Sequence, residues 1–260
     1  MSVEKNIRII ARLDVKGQNL VKGIHLEGLR VLGKPREFSL DYFNQGIDEI
    51  IYHDCVASLY GRNSLKDVIK DFSNDVFVPI TVGGGIRSIK DAYEILRSGA
   101  DKIAINTAAI KNPKLIEEIA KEFGSQCMVL SVEAKQNGND YWEAYTDNGR
   151  EKTGLSVIDW IKKGIEHGAG EILITSIDME GTRKGSDLKL LNKLSPLIKV
   201  PLIYSGGIGN VEHFLETIKI DAVDGIAMAD IFHYKLVNVK DIRNSLINNG
   251  ISTRYTKYDK

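Results

Sequence analysis

Pro79-Ile-Thr-Val-Gly-Gly-Gly-Ile86 returns 122 positions later as Pro201-Leu-Ile-Tyr-Ser-Gly-Gly-Ile208. In each copy a short apolar run leads into a glycine turn. Gly46-Ile-Asp-Glu-Ile50 returns at the same offset as Gly168-Ala-Gly-Glu-Ile172. That offset is nearly half of the 260 residues and too long for a solenoid unit. It points to two fused halves, each with its own glycine turn after a strand. A site built this way has two similar ends, which suits a long ligand with an anionic group at each end.

Outward from these turns, apolar β-rich runs alternate with helical patterns. The runs fall near residues 7–13, 49–52, 80–82, 102–105, 127–132, 171–175, 202–204 and 225–228. Most are apolar throughout rather than alternating, as expected for parallel strands covered on both faces. Between them lie capped helices. Ser88 opens one and Gly99 closes it, Asn112-Pro113 opens the next before Gly124, Ser156 opens another before Gly168, and a last one runs from Val239 to Gly250. Eight strands, each followed by a helix, predict one α/β domain over residues 1–260, a (β/α)8 barrel with half-barrels of about 1–124 and 125–260. A doubly wound open sheet is the alternative, and it leaves the half-length repeat unexplained. Lys16 to Arg36 reads as a basic, glycine-rich loop without secondary structure, the usual form of a lid. Asp147-Asn-Gly149 reads as the turn of a hairpin after the fifth strand.

Composition narrows the partners. Lys+Arg and Asp+Glu are 35 each, so no global field draws the chain to nucleic acid or a membrane. Any anion must be held locally. The two cysteines, Cys55 and Cys127, and the absence of an apolar leader among the first residues predict a cytoplasmic protein. The histidines show no close ligand spacing and no dinucleotide fingerprint occurs, so no metal or cofactor is expected.

Strand ends of such barrels carry the chemistry. Asp14 ends the first predicted strand and Glu133 the fifth, placing two carboxylates across one mouth as candidate acid and base. The competing reading is that each is half of a structural ion pair. Gly84 and Gly85, with Asn106 and Thr107 at the next strand end, offer backbone and side-chain donors for a phosphate. The second glycine turn contains Gly207, but the position matching Thr107 is Asp230. A carboxylate there repels a phosphate.

These stretches resemble the cyclase subunits of imidazole glycerol phosphate synthase along essentially the whole chain. The likeness is carried by Leu13-Asp-Val-Lys16, Lys22-Gly23, Thr81-Val-Gly-Gly-Gly-Ile86, Gly99-Ala-Asp-Lys102, Ile105-Asn-Thr-Ala-Ala109, Gly168-Ala-Gly-Glu-Ile172, Thr175-Ser-Ile-Asp178, Ser205-Gly-Gly207 and Glu212-His-Phe214. The resemblance implies a (β/α)8 barrel paired with a separate glutaminase subunit as a heterodimer. Ammonia released there passes through the barrel and reacts with the bis-phosphorylated substrate PRFAR. The products are imidazole glycerol phosphate, for histidine synthesis, and AICAR. It implies further that Asp14 is an acid/base and that Lys22 lies on a loop closing over substrate. Gly85, Asn106 and Thr107 match one phosphate site; Gly181, Gly207 and Ala229 match the other. Arg8, Glu49, Lys102 and Glu171 match a charged ring where ammonia enters, and Asp101 a residue facing the glutaminase.

The chain also departs from that pattern. Glu133 stands where the family has Asp, Glu180 replaces an aspartate at the second phosphate turn, and Asp230 replaces a serine. Arg12 stands where a small residue is usual. The altered far end favours a paralogue that transfers nitrogen to another acceptor, such as an acetamidino sugar precursor. The alternatives are the histidine-pathway cyclase with local drift and a non-catalytic scaffold that activates a glutaminase.

Overall fold

The computed structural model describes residues 6–57, 68–70 and 74–254. Eight parallel strands close into a barrel: β1 (Arg8–Lys16), β4 (Glu49–Asp54), β5 (Ile80–Gly83), β6 (Lys102–Ile105), β7 (Met128–Gln136), β10 (Glu171–Ser176), β11 (Leu202–Ser205) and β12 (Val223–Met228). Pairing of β10 with β7, Glu171 beside Val129, and of β12 with β1, Gly225 beside Arg8, leaves no free edge in the ring. Every predicted strand is present. The open sheet is excluded by this closure.

Each strand sends alternate side chains to opposite faces. The outward set packs with the helices into the main core, which includes Ile9, Leu13, Ile50, Val82, Leu130, Ile174 and Tyr204. The inward set forms a separate apolar layer of Ile10, Ile51, Ala104, Val129, Leu173, Ile203 and Ala227. This double burial is why the strands read as continuous apolar runs. The helices begin where their caps predict: Ser88 accepts from the Asp91 N–H and Ser156 from the Asp159 N–H. The helix after Asn112 starts at Lys114, with Pro113 already in helical backbone. Among the described residues no helix is long and apolar enough to cross a membrane.

Residues 16–36 differ from expectation. They fold into β2 (Asn19–Ile24) and β3 (Glu27–Gly33), an antiparallel hairpin continuing from the end of β1. Burial of Leu20, Val21 and Lys22 in β2 and the left-handed turn at His25 and Leu26 explain it: backbone donors are satisfied by pairing rather than by water. The second hairpin, β8 (Trp142–Thr146) and β9 (Glu151–Ser156), continues β7 in the same way, and Asp147, Asn148 and Gly149 all take positive φ in its turn. Hairpins thus extend β1 and β7, which stand opposite each other with three strands between them on either side. They meet over the mouth, where Asn148 donates to the Leu26 carbonyl at 3.1 Å and Leu26, Tyr145 and Ile177 pack together.

Candidate active site

Asp14 and Glu133 lie at the C-terminal ends of β1 and β7, both buried and on opposite walls of one mouth. Their surroundings differ. Asp14 accepts from the Arg12 Nε at 2.9 Å, an ion pair buried on both sides. Burial alone would raise its pKa, but Arg12 and Lys22 outweigh burial and hold the carboxyl below the usual range. Glu133 accepts from the Gly149 N–H at 2.8 Å, a backbone donor rather than a cation. Burial dominates there and pushes the carboxyl up to about 7. The ion-pair reading therefore describes Asp14, with an arginine as partner, and not Glu133.

Arg12 is the group the sequence flagged but gave no task. It points inward one layer below the carboxylates and is 2% exposed. Its Nη1 reaches across the bore to Thr175 Oγ1 at 2.8 Å on β10 and to Ser205 Oγ at 3.3 Å on β11. The neighbouring wall is His53, whose ring burial and Arg12 together push down to about 4, so that it is neutral at pH 7.

Between Glu133 and the first glycine turn lies a cavity of about 210 Å³, lined among others by Gly84, Gly85, Asn106, Thr107, Arg87 and Lys111. Gly84 (φ 94°) is pressed so close to β4 that a Cβ would sit 2.4 Å from the Asp54 carbonyl. The turn therefore keeps its backbone free to face the cavity. Two cations and a glycine turn suit an anion. Asn106 Nδ2 gives one of its two hydrogens to the Tyr145 carbonyl at 3.0 Å and has the other left to give. Thr107 Oγ1 accepts from the Asp147 N–H at 3.0 Å and keeps its own hydrogen to give. Asn148, also at this wall, was not foreseen; its only signal was its place in the hairpin turn.

The matching space at the second turn is about 10 Å³, bounded by Glu180, Gly181, Gly207, Ala229 and Asp230. That is roughly room for one water centre. Asp230 pairs with Arg183, and Arg183 lies over the Tyr234 ring at 5.3 Å. Glu180 pairs with Lys22, and both are buried. The backbone closes the same end: the His25 N–H donates to the Glu180 carbonyl at 2.8 Å, and Gly181 (φ 73°) admits the chain at Gly23. The two glycine turns are alike in backbone and unlike in side chains; outside the second, a space of about 750 Å³ opens between the first hairpin and Gly181, Arg183 and Asp230.

At the opposite pole Arg8, Glu49, Lys102 and Glu171 form a closed ring of alternating charge. Arg8 reaches Glu49 at 2.9 Å and Glu171 at 2.6 Å; Lys102 reaches them at 3.1 and 2.8 Å. The carboxylates are buried, while the Arg8 and Lys102 side chains are 26% and 19% exposed. Glu49 also accepts from Thr81 Oγ1 at 2.7 Å. Asp101 lies at this pole, exposed, its carboxylate accepting from the Ile80 N–H at 2.8 Å. The predicted groups thus gather at two poles, separated by the inward apolar layer and Arg12.

The family profile of histidine biosynthesis proteins matches residues 8–238. The imidazole glycerol phosphate synthase subunit HisF of Legionella pneumophila is 61% identical over 209 residues, which cover 80% of this chain and 99% of that protein. The HisF subunit of Bacillus cereus (strain Q1) is 45% identical over 247 residues, covering 95% of this chain and 98% of that protein. The chain therefore belongs to the histidine biosynthesis protein family, alongside enzyme subunits of the HisF type.

Proposed function

We propose that this chain is the ammonia-using synthase subunit of a two-subunit glutamine amidotransferase, working in the cytoplasm as a heterodimer with a HisH-like glutaminase. The observation that carries the reading is the pair Asp14 and Glu133 across one mouth, above a barrel whose far pole is a ring of paired charges. Ammonia enters at the ring beside Asp101 and attacks an electrophilic carbon held at the mouth. Asp14 and Glu133 move the protons of addition and of water loss from opposite sides. The two hairpins cover the mouth and exclude competing water, with Lys22 on the first. The relatives' name gives imidazole glycerol phosphate as the product to test first, and the family resemblance gives PRFAR and ammonia as its source, with AICAR as the second product. One barrel of two half-barrels, about 1–124 and 125–260, is the matching domain description, supported by the hairpins on β1 and β7.

A specific observation favours a second acceptor. A phosphate fits at Gly84, Gly85 and Thr107, whereas the second turn itself offers about 10 Å³ beside Glu180 and Asp230, and the wider space of about 750 Å³ opens outside it, past Arg183. Like charges in a partly desolvated site repel by several kcal/mol (order of magnitude). An acceptor with one phosphate and a hydrogen-bond-donating far end, such as a sugar precursor of an acetamidino group, matches this arrangement. The deciding experiment supplies purified chain with PRFAR and ammonium salt at high pH, then with glutamine and the glutaminase. A robust rate of imidazole glycerol phosphate formation assigns the histidine-pathway reaction. Silence from folded protein that still stimulates the glutaminase assigns another acceptor. Turnover with glutamine by this chain alone would refute the two-subunit reading. Unchanged product formation by Asp14→Asn would leave only the scaffold role.

A further inference from the structure

We propose that Arg12 is a positioning residue that makes the two mouth carboxylates unequal, fixing Asp14 as the proton-accepting base and leaving Glu133 as the proton-carrying acid. The inference rests on the reading of these two groups as an acid/base pair.

The geometry is that of a clamped guanidinium. Nε holds Asp14 at 2.9 Å, while Nη1 is anchored at 2.8 and 3.3 Å to hydroxyls of Thr175 and Ser205 on strands across the bore. Three strands, β1, β10 and β11, thus fix one planar group. A lysine could supply charge but not this fork. The other charged and titratable neighbours of Asp14 are Lys22 from β2, His53 from β4, Cys55 just beyond it, His233 after β12 and Glu133 across the mouth; burial keeps the Cys55 thiol and the His233 ring neutral at pH 7. Lys22 is already paired with Glu180. His53 is half-buried and neutral at pH 7. Lys22 acts on Asp14 through space, and Arg12 is the cation bonded to it. On the opposite wall Glu133 feels Arg12, Asp14 and Asp147, but its bonded partner is the Gly149 N–H. The carboxylates share a mouth, and only one of them has the clamp.

Paired groups held in different charge states are how one site gives and takes protons at the same pH. During addition the ammonia nitrogen gains a bond to carbon and loses a proton to the Asp14 carboxylate. The opened carbonyl oxygen takes the Glu133 proton; on elimination the nitrogen lone pair closes C=N as the C–O bond breaks, and the oxygen takes its second proton from that nitrogen through Glu133 and leaves as water. Asp14 then returns its proton to Glu133 through substrate or solvent, so the pair ends as it began.

The test needs no knowledge of the acceptor. Full-length chain labelled with ¹³C at Asp and Glu carboxyls is titrated by NMR, with Asp14→Asn and Glu133→Gln for assignment. The wild type is expected to show two separate midpoints, Asp14 the lower. In Arg12→Met the Asp14 midpoint rises by about one pH unit or more, the range an opposite charge normally commands. Arg12→Lys restores part of the separation. In the synthase assay the acid limb of kcat/KM moves up with Asp14. An unchanged Asp14 midpoint in a folded Arg12→Met overturns the proposal and leaves Arg12 a structural tie. If that variant does not fold, Thr175→Val with Ser205→Ala frees the clamp while keeping the charge; a static Asp14 midpoint there overturns it equally. Asp14→Asn with full product formation would instead sink the acid/base reading and leave the titrations as they are.

Discussion

Glu133 carries one methylene more than the aspartate of the family pattern, and the length places its carboxylate under the Gly149 N–H in a fully buried wall. Its folded-state midpoint of about 7 stands above the ordinary carboxylate value of 4.5. A raised acid midpoint means that ionisation is disfavoured in the folded state. Stability is therefore fullest below pH 4.5 and declines as pH rises through 7, by about 3 kcal/mol in all. Glu133→Gln is accordingly expected to raise stability at pH 8 by up to about 3 kcal/mol and to change little at pH 4.5. Denaturant melts of both proteins at the two pH values check this; equal gains at both would show that charge is not the cause. His53 works the other way. Its midpoint is lowered to about 4, so its contribution is lost as pH falls from 6.5 towards 4. Asp230 is the third informative position. Asp230→Ser removes the carboxylate and releases Arg183, and should tighten inorganic phosphate at the second turn by about tenfold, read by calorimetry. No gain would mean that the closed backbone at Gly181, not the charge, bars the anion.

The glycine turns and hairpins show what an element contributes beyond its residues. Gly84 and Gly17 both have positive φ, but a Cβ at Gly84 meets the Asp54 carbonyl at 2.4 Å, whereas one at Gly17 meets nothing within 4 Å. Gly17→Ala is expected to cost about 1–2 kcal/mol for the left-handed backbone alone. Gly84→Ala adds a clash with a barrel strand and should cost clearly more, about 3 kcal/mol or above, with loss of the first anion end. Thermal melts of the two variants side by side decide whether close approach or conformation sets the demand. The segment from Lys16 to Arg36 shows the limit of local reading. Its glycines and charges suggested a loop. Pairing with β1 and the seat against Glu180 and Asn148 turned it into a hairpin, and those partners lie far along the chain.

For the molecule as a whole, the decisive feature is two poles on one axis. The charge ring at one pole survives because each carboxylate meets both cations. Glu49→Ala would leave Arg8 and Lys102 facing each other with one anion between them, and is expected to destabilise by about 3–5 kcal/mol, measured by chemical denaturation. A cost under about 1 kcal/mol would show the ring to be solvent-relaxed. Much of this organisation was legible beforehand. The half-length repeat, the apolar runs and the strand-end positions of Asp14 and Glu133 follow from chain order alone, because a parallel barrel repeats one local unit and puts every strand end on one rim. Whether each carboxylate has a cation, which glycine turn stays open and where Arg12 reaches were decided only on folding. Arg12 and Thr175 lie 163 positions apart, and Lys22 and Glu180 lie 158 apart. Periodicity reports which face a side chain takes; it does not report who waits across the bore, and in a buried site that neighbour sets the charge.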